Sequence, residues 1–185
     1  MARYDDELWE LVPEDPGPPP AHLSEFVGSL SPAEQALDLG IGDGRLATEI
    51  KTLHLTGVDV SQVALDRARR RLGDAELVLV EPDAPLPFDD NRFDLVSCIE
   101  TIEHVRDVQL AFSEMRRVLR PGGRLALTTP AASRWRVLLH GIEPPFSPHV
   151  RAFSRRNLRT VLETMGFQIV SLETTQGTLL ALAVR

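Results

Sequence analysis

The stretch ALDLGIGDGRLA, residues 36–47, decides how this chain is read. An apolar run ends at Asp38 and Leu39, and glycines follow at positions 40, 42 and 44. Glycine has no Cβ, so a backbone carrying three of them turns tightly and lets a ligand approach closely. The residues after the turn, RLATEIKTL from Arg45, read as a helix whose first N–H groups lack partners and suit a polar ligand group. The same spacing also serves a bare strand-to-helix turn or a dinucleotide site. The rest of the chain has to decide between these.

Outward from the glycines, short apolar runs alternate with amphipathic stretches. The runs are QALDL from Gln35, HLTGVDV from His54, ELVLV from Glu76, FDLVSCI from Phe93 and RLALTTP from Arg124; SQVALDRARRRL and VQLAFSEMRRVL read as helices between them. That alternation predicts a parallel sheet with crossover helices on both faces. A helix over 154–165 then leads into FQIVSLET and GTLLALAV, which are separated only by Gln176 and Gly177. So short a link cannot make a parallel crossover, and the last strand is expected to run antiparallel. The prediction is an α/β fold: a seven-stranded, mostly parallel sheet with a reversed last strand.

Acidic residues close the first three strands in turn: Asp38, then Asp59 in GVDVS, then Asp83 in EPDAPLPF. A carboxylate at Asp59 can accept both hydrogen bonds of a ribose diol. One at Asp83 can accept from an adenine amino group beside Leu86 and Phe88. Any one of them is also explained as a turn or capping carboxylate; three in series are harder to explain that way.

The chain has 185 residues, 43% of them hydrophobic, which fits one compact domain. Residues 1–20 read as an N-terminal arm, ended by PEDPGPPP from Pro13, which cannot form helix. Residues 21–185 read as the single domain, with AHLSEFVGSL from Ala21 a helix at the sheet edge and 131–153 a substrate-cover segment. The acidic beginning, MARYDDELWELVPEDP, has no secretory pattern, and no apolar run approaches a membrane span, so a cytoplasmic protein is expected. A single cysteine, Cys98, rules out disulfide frameworks and multi-cysteine metal sites. The formal charge of −7 argues against nucleic acid as a partner, although Arg134, Arg136, Arg151, Arg155, Arg156 and Arg159 share a stretch whose only acid is Glu143. The expected assembly is a monomer or a homodimer.

From Gln35 to Arg185, the series DLGIGDG, GVDVS, DAPLPFDDNRFDLV, LRPGGRLALTTP and the terminal hairpin resembles the class I S-adenosylmethionine-dependent methyltransferases, of the small ubiquinone-biosynthesis type. The resemblance implies a Rossmann-like sheet and S-adenosylmethionine as cofactor. It implies that Asp38 orients the loop or the methionyl amine and that the backbone from Gly40 through Ile41 and Gly42 to Gly44 passes the methionyl part. Asp59 and Val60 would hold the ribose, Asp83 and Ala84 the adenine, and Ile99 and Glu100 would lie beside the sulfonium. Ile41 departs from the cysteine or alanine of many relatives; its side chain is expected to point into packing.

Methyl transfer is an in-line displacement, so the protein mainly aligns a nucleophile and excludes water; a base is needed only when the nucleophile is protonated. CIETIEHVRD follows the fourth strand, and Glu100, Glu103 and His104 at i, i+3, i+4 would share one helical face. With His149 from SPHVRAF they resemble the Glu-x-x-Glu-His set by which RNA 2′-O-methyltransferases hold a divalent cation. His104 or His149 is otherwise a candidate base, and the plain alternative is helix capping and loop order. Trp135, Leu138, Leu139, Pro144, Pro145 and Phe146 suit a small, partly apolar acceptor, with core packing an equal account of Leu138 and Leu139; Tyr4 and Trp9 fit either closure over the cofactor or the packing of an amphipathic helix. The expected reaction is methyl transfer to a small molecule, at oxygen; the alternatives are an RNA 2′-O-methyltransferase and a nucleotide-binding oxidoreductase.

Overall fold

The computed structural model describes residues 2–132 and 152–185. Seven strands form one sheet: β1 (Ala33–Leu39), β2 (Thr52–Asp59), β3 (Glu76–Leu79), β4 (Phe93–Ile99), β5 (Leu119–Pro130), β6 (Gln168–Thr175) and β7 (Thr178–Val184). Their order is β3-β2-β1-β4-β5-β7-β6. The first five are parallel to one another, and β7 runs antiparallel to both β5 and β6. Strand order reverses between β1 and β4, and in such sheets ligands bind at the carboxyl ends beside the reversal.

Every residue of β4 is buried, as a central parallel strand requires. Asp94 is the polar exception near its start; its Oδ2 accepts the N–H groups of Glu34 and Gln35 at 2.8 Å each, so β4 is tied to β1 below the site. Helices α1 (Ala2–Leu11), α2 (Ala21–Gly28), α3 (Gln62–Leu72), α4 (Val108–Val118) and α5 (Arg155–Thr164) complete the chain. Phe112 and Met115 of α4 pack with Leu158 and Leu162 of α5 on one sheet face, together with Phe93 and Phe167. Leu23 and Val27 of α2 pack with Leu65 of α3 on the other, against Ala36, Leu95, Ala126 and Leu180. Side-chain caps start three of the helices: Ser61 on Ala64 N, Asp107 on Leu110 N and Ser154 on Asn157 N.

Two expectations are corrected. RLATEIKTL is not an α-helix: it holds only a 3-10 turn, Ala47–Glu49, before β2 begins at Thr52. The pairing of Thr52 with Ala33 and the extended Ile50 leave too few residues after Gly44 to nucleate a helix. Helix α2 lies over the face of the sheet rather than at its edge, because Leu23 and Val27 find a larger apolar surface there. The substrate-cover segment lies largely outside the described residues, as do His149, Trp135, Arg134, Arg136 and Arg151. Its two ends meet: Ala131 bridges to Phe153, and Ala132 N donates to Phe153 O at 2.6 Å.

Gly57 in β2 explains how the glycine turn is seated. A Cβ there would overlap Ile41 Cδ1, so the glycine leaves the hollow that the buried Ile41 fills. Gly57→Ala is therefore expected to cost about 1–3 kcal/mol by overpacking. In an Ile41→Ala background most of that penalty should disappear. Urea melts of the two single variants and the double variant measure the coupling; strictly additive losses would contradict the packing described.

Candidate active site

The turn after β1 is held by β2. Gly40 N and Ile41 N both donate to Val58 O, at 2.9 and 3.0 Å. Gly40 and Gly42 have φ of 75° and 56°, in the left-handed region that favours glycine. Space is short as well as conformation: a Cβ on Gly40 would strike Thr101, and one on Gly42 would come within 2.9 Å of the Trp9 ring.

A closed circuit of contacts runs from this turn. Asp59 Oδ2 accepts Gly42 N at 2.9 Å, and its Oδ1 accepts Ser61 N at 3.0 Å. Ser61 Oγ donates to Asp6 Oδ1 at 2.6 Å, and Val63 N donates to the same oxygen at 3.2 Å. Asp6 therefore caps α3 from another helix and, with the Ser61 hydroxyl as the main cause, its carboxyl lies below the usual range. One turn further along α1, Trp9 lies back on Gly42, with Arg67 of α3 stacked 5.8 Å from its ring centre. Arg67 also donates to Val12 O at 2.9 Å, and Arg45 to Gly17 O at 2.9 Å. The arm is thus fastened along its length to the glycine turn and α3.

Asp38 is 5% exposed and accepts from Ser97 Oγ at 2.6 Å. Burial pushes its carboxyl up to about 6; the Ser97 hydroxyl opposes this, and the nearby Asp59 charge adds to it. Asp38 and Asp59 are therefore brought together at the turn. Asp83 has a partner of its own: its Oδ1 accepts the N–H of Asp107 at 2.9 Å, tying the loop after β3 to the start of α4. Leu86 and Phe88 from that loop belong to the core with Phe93. Glu114 fixes them, accepting Leu86 N at 2.7 Å while Arg117 holds its carboxyl low. Val60 and Ala84 follow Asp59 and Asp83 directly, and Ile99 closes β4 with 9% exposure.

Beyond β4 the expected helical face is absent. Residues 100–107 form no helix, and Glu100 has φ of 50°. The two glutamates are instead held by adjacent threonines of β5. Thr128 Oγ1 donates to Glu100 Oε1 at 2.8 Å, and Thr129 Oγ1 to Glu103 Oε2 at 3.1 Å. Neighbouring strand residues point to opposite faces, and the register agrees: Thr128 pairs with Leu180 of the α2-side core, Thr129 with Leu179 of the α4-side core. Glu103 is 1% exposed; burial raises its carboxyl to about 7, with a further push from the Glu100 charge. His104 Nε2 lies 3.9 Å from Glu103 Oε1, with 40% of its side chain exposed. Burial also raises the Glu100 carboxyl, while Thr128 and then the charges of His22 and His104 pull it down.

The expected cation site of Glu100, Glu103, His104 and His149 is not supported. Among the described residues no three His, Cys, Asp or Glu side chains are grouped to hold a metal, and His149 lies outside them. The split between Thr128 and Thr129 is the reason: it sends the two carboxylates to different faces of the sheet. One mouth residue has no counterpart in the sequence reading. His22, from the first turn of α2, lies with its Nε2 3.3 Å from Thr178 Oγ1, at the end of β7 that pairs with Pro130. The pair of hydroxyls in RLALTTP, ending an otherwise apolar buried strand, was a signal for the threonines; nothing local marks His22.

The chain carries a methyltransferase domain and resembles the class I S-adenosylmethionine-dependent methyltransferases in sequence and fold. The methyltransferase domain family matches residues 37–127. Sequence relatives include 27-O-demethylrifamycin SV methyltransferase of Amycolatopsis mediterranei, 36% identical over 53% of this chain and 39% of that protein. A sterol 24-C-methyltransferase of Gibberella zeae is 36% identical over 55% of this chain and 29% of its own length. The chain thus spans about a third of the length of these curated relatives. A solved Bacillus halodurans structure shares the fold, with a TM-score of 0.73 and 25% identity, covering 83% of this chain and 72% of that one.

Asp38 carries a testable consequence for stability. Its folded value of about 6 lies above the ordinary 3.8, so the stabilisation from its protonated form is complete below about pH 4 and is lost as the pH rises through 6. Above that the buried charge costs on the order of 1–3 kcal/mol. Asp38→Asn is expected to raise Tm at pH 8 by about 3–8 °C and to leave it unchanged at pH 4. Thermal melts at the two pH values check this, and an equal effect at both would be inconsistent with a charge-driven cost.

Proposed function

We propose that this chain transfers the methyl group of S-adenosylmethionine to an oxygen of a small-molecule acceptor. The observation that carries the reading is the juxtaposition of the Cβ-free turn at Gly40 and Gly42 with two carboxylates, Asp38 and Asp59, at the strand-order reversal. Such a cradle suits an adenosyl cofactor: the turn brings bare backbone at Gly40 and Gly42 to the carboxyl end of the sheet, Asp59 stands at the end of β2 as an acidic acceptor, and buried Asp38 suits a cationic amine. Bound there, S-adenosylmethionine supplies a methyl carbon already activated by its sulfonium.

The residues of the chain do the rest. The backbone from Gly40 through Ile41 and Gly42 to Gly44 passes the methionyl part, Asp59 and Val60 hold the ribose, and Asp83 and Ala84 flank the adenine. Ile99 and Glu100 stand beside the sulfonium. Trp9 of α1 covers the turn and keeps water from it, and the segment 131–153, whose ends meet above β5, covers the acceptor. A histidine at the mouth takes the acceptor's proton; His104 and His149 are the two expected from sequence. The proton-handling rim supports oxygen as the acceptor atom, and the rifamycin relative is named for transfer to oxygen. The RNA reading draws no support from the mouth, where its cation set is not assembled among the described residues. No helix among the described residues is long and apolar enough to cross a membrane.

Calorimetry tests the reading directly: S-adenosylhomocysteine should bind and nicotinamide dinucleotides should not. Binding should release a proton near pH 6, because the incoming ammonium favours ionised Asp38. Affinity is accordingly expected to fall as the pH drops below 6, with the proton counted by repeating the titration in buffers of different ionisation enthalpy. Trp9→Ala should weaken binding about tenfold, the worth of one packed aromatic wall. A wild-type protein indifferent to the thioether ends the proposal.

A further inference from the structure

The mouth holds two carboxylates and two imidazoles. Glu103 and His104 form one pair, and the His104 ring is substantially exposed. The other pair is assembled from distant parts of the chain. Glu100 is fastened to Thr128, and His22 reaches the same rim because α2 lies across the sheet face with its first turn at the carboxyl ends of the strands. The Glu100 carboxyl responds to the charge of His22, which places the two within electrostatic reach.

The two nitrogens of His22 are in unlike positions. Nε2 is 3.3 Å from the hydroxyl of buried Thr178. Nδ1 is shielded from solvent and has no hydrogen-bond partner among the described residues. Buried polar atoms are nearly always matched, and an unmatched one at the rim of a ligand site points to a ligand atom as its partner. An imidazole whose Nε2–H is donated to a hydroxyl keeps its lone pair on Nδ1, the form required of a proton acceptor.

We propose that His22 is the catalytic base: Thr178 fixes its tautomer through Nε2, and Nδ1 takes the proton of the acceptor hydroxyl. The inference rests on the methyl-transfer reading above. In the step, the acceptor O–H bond breaks and its proton passes to Nδ1 as the oxygen forms its bond to the methyl carbon. The carbon–sulfur bond breaks with its electron pair kept by sulfur, which becomes a neutral thioether. The imidazolium at His22 lies within electrostatic reach of the Glu100 carboxylate, with Glu103 and His104 the other titratable groups at the rim, and it returns its proton to water after product leaves. His104, more open to solvent, then positions Glu103.

Nitrogen NMR of the full chain labelled with ¹⁵N-histidine, with the His22 signals assigned from His22→Gln, tests this without any acceptor. An unprotonated Nδ1 and a protonated Nε2 are expected at pH 8, with the two tautomers mixing in Thr178→Val. A His22 carrying its proton on Nδ1 overturns the proposal. Turnover with methyl-labelled cofactor and catechol as the acceptor probe adds a second arm. His22→Gln should lose about 100-fold or more in kcat while its affinity for S-adenosylhomocysteine stays within about twofold, and His54→Gln, exposed near the start of β2, should behave as wild type. Loss in His104→Gln with retention in His22→Gln overturns the assignment. If wild type leaves catechol unmethylated, the tautomer decides alone; if wild type fails to bind S-adenosylhomocysteine, it is the methyl-transfer reading that falls.

Discussion

The carboxylate of Asp59 is the fixed point around which the site is organised. One oxygen holds the N–H of Gly42 and the other that of Ser61, so the turn after β1 and the start of α3 are set at a fixed spacing by a single side chain. A buried carboxylate that accepts two backbone N–H groups is well matched and resists displacement. The consequences spread outward through Ser61, which bonds Asp6, and through Gly42, on which Trp9 rests. An arm that the sequence separates from the domain by a proline run becomes part of the turn's wall.

Packing beneath the turn supplies the second constraint. Gly57 opens a hollow in β2, Ile41 fills it, and Gly40 is left facing Thr101 on the loop after β4. The turn is thereby clamped between β2 below and the β4 loop above, and both clamps rely on a missing Cβ. This is how a parallel sheet can hold a left-handed stretch in one position: contacts from two neighbouring strands over-determine it.

The strands were legible because their signals are local and redundant. Apolar runs bounded by turn residues gave all seven, and the two-residue link at Gln176 and Gly177 gave the reversed one. The failures share a cause. RLATEIKTL has helical spacing, but the register of β1 against β2 consumes its residues. Glu100, Glu103 and His104 have helical spacing too, but the left-handed backbone at Glu100 and the threonines of β5 place them instead. Spacing implies a shared face only where a helix exists. His22 was invisible for a related reason: its neighbourhood is made of β4, β5 and β7, and depends on α2 lying over the sheet rather than along its edge.

Placing the two glutamates on opposite faces also sets the charge at the rim. Burial and the neighbouring charge leave Glu103 near the middle of its titration around pH 7, whereas Thr128 and two imidazoles counter the effect of burial on Glu100. At neutral pH the rim therefore carries less than two full negative charges. In the proposed reaction that restraint matters, because a sulfonium loses its positive charge on the way to the thioether. A rim with two ionised carboxylates would stabilise the charged reactant more than the transition state and so slow the transfer. With Glu103 near the middle of its titration and held by Thr129, the rim attracts the cation at lower cost to the barrier. The adjacent threonines of β5 thus do more than cap loop residues: by splitting the acids between faces, they keep the electrostatic pull on the cofactor compatible with its chemistry.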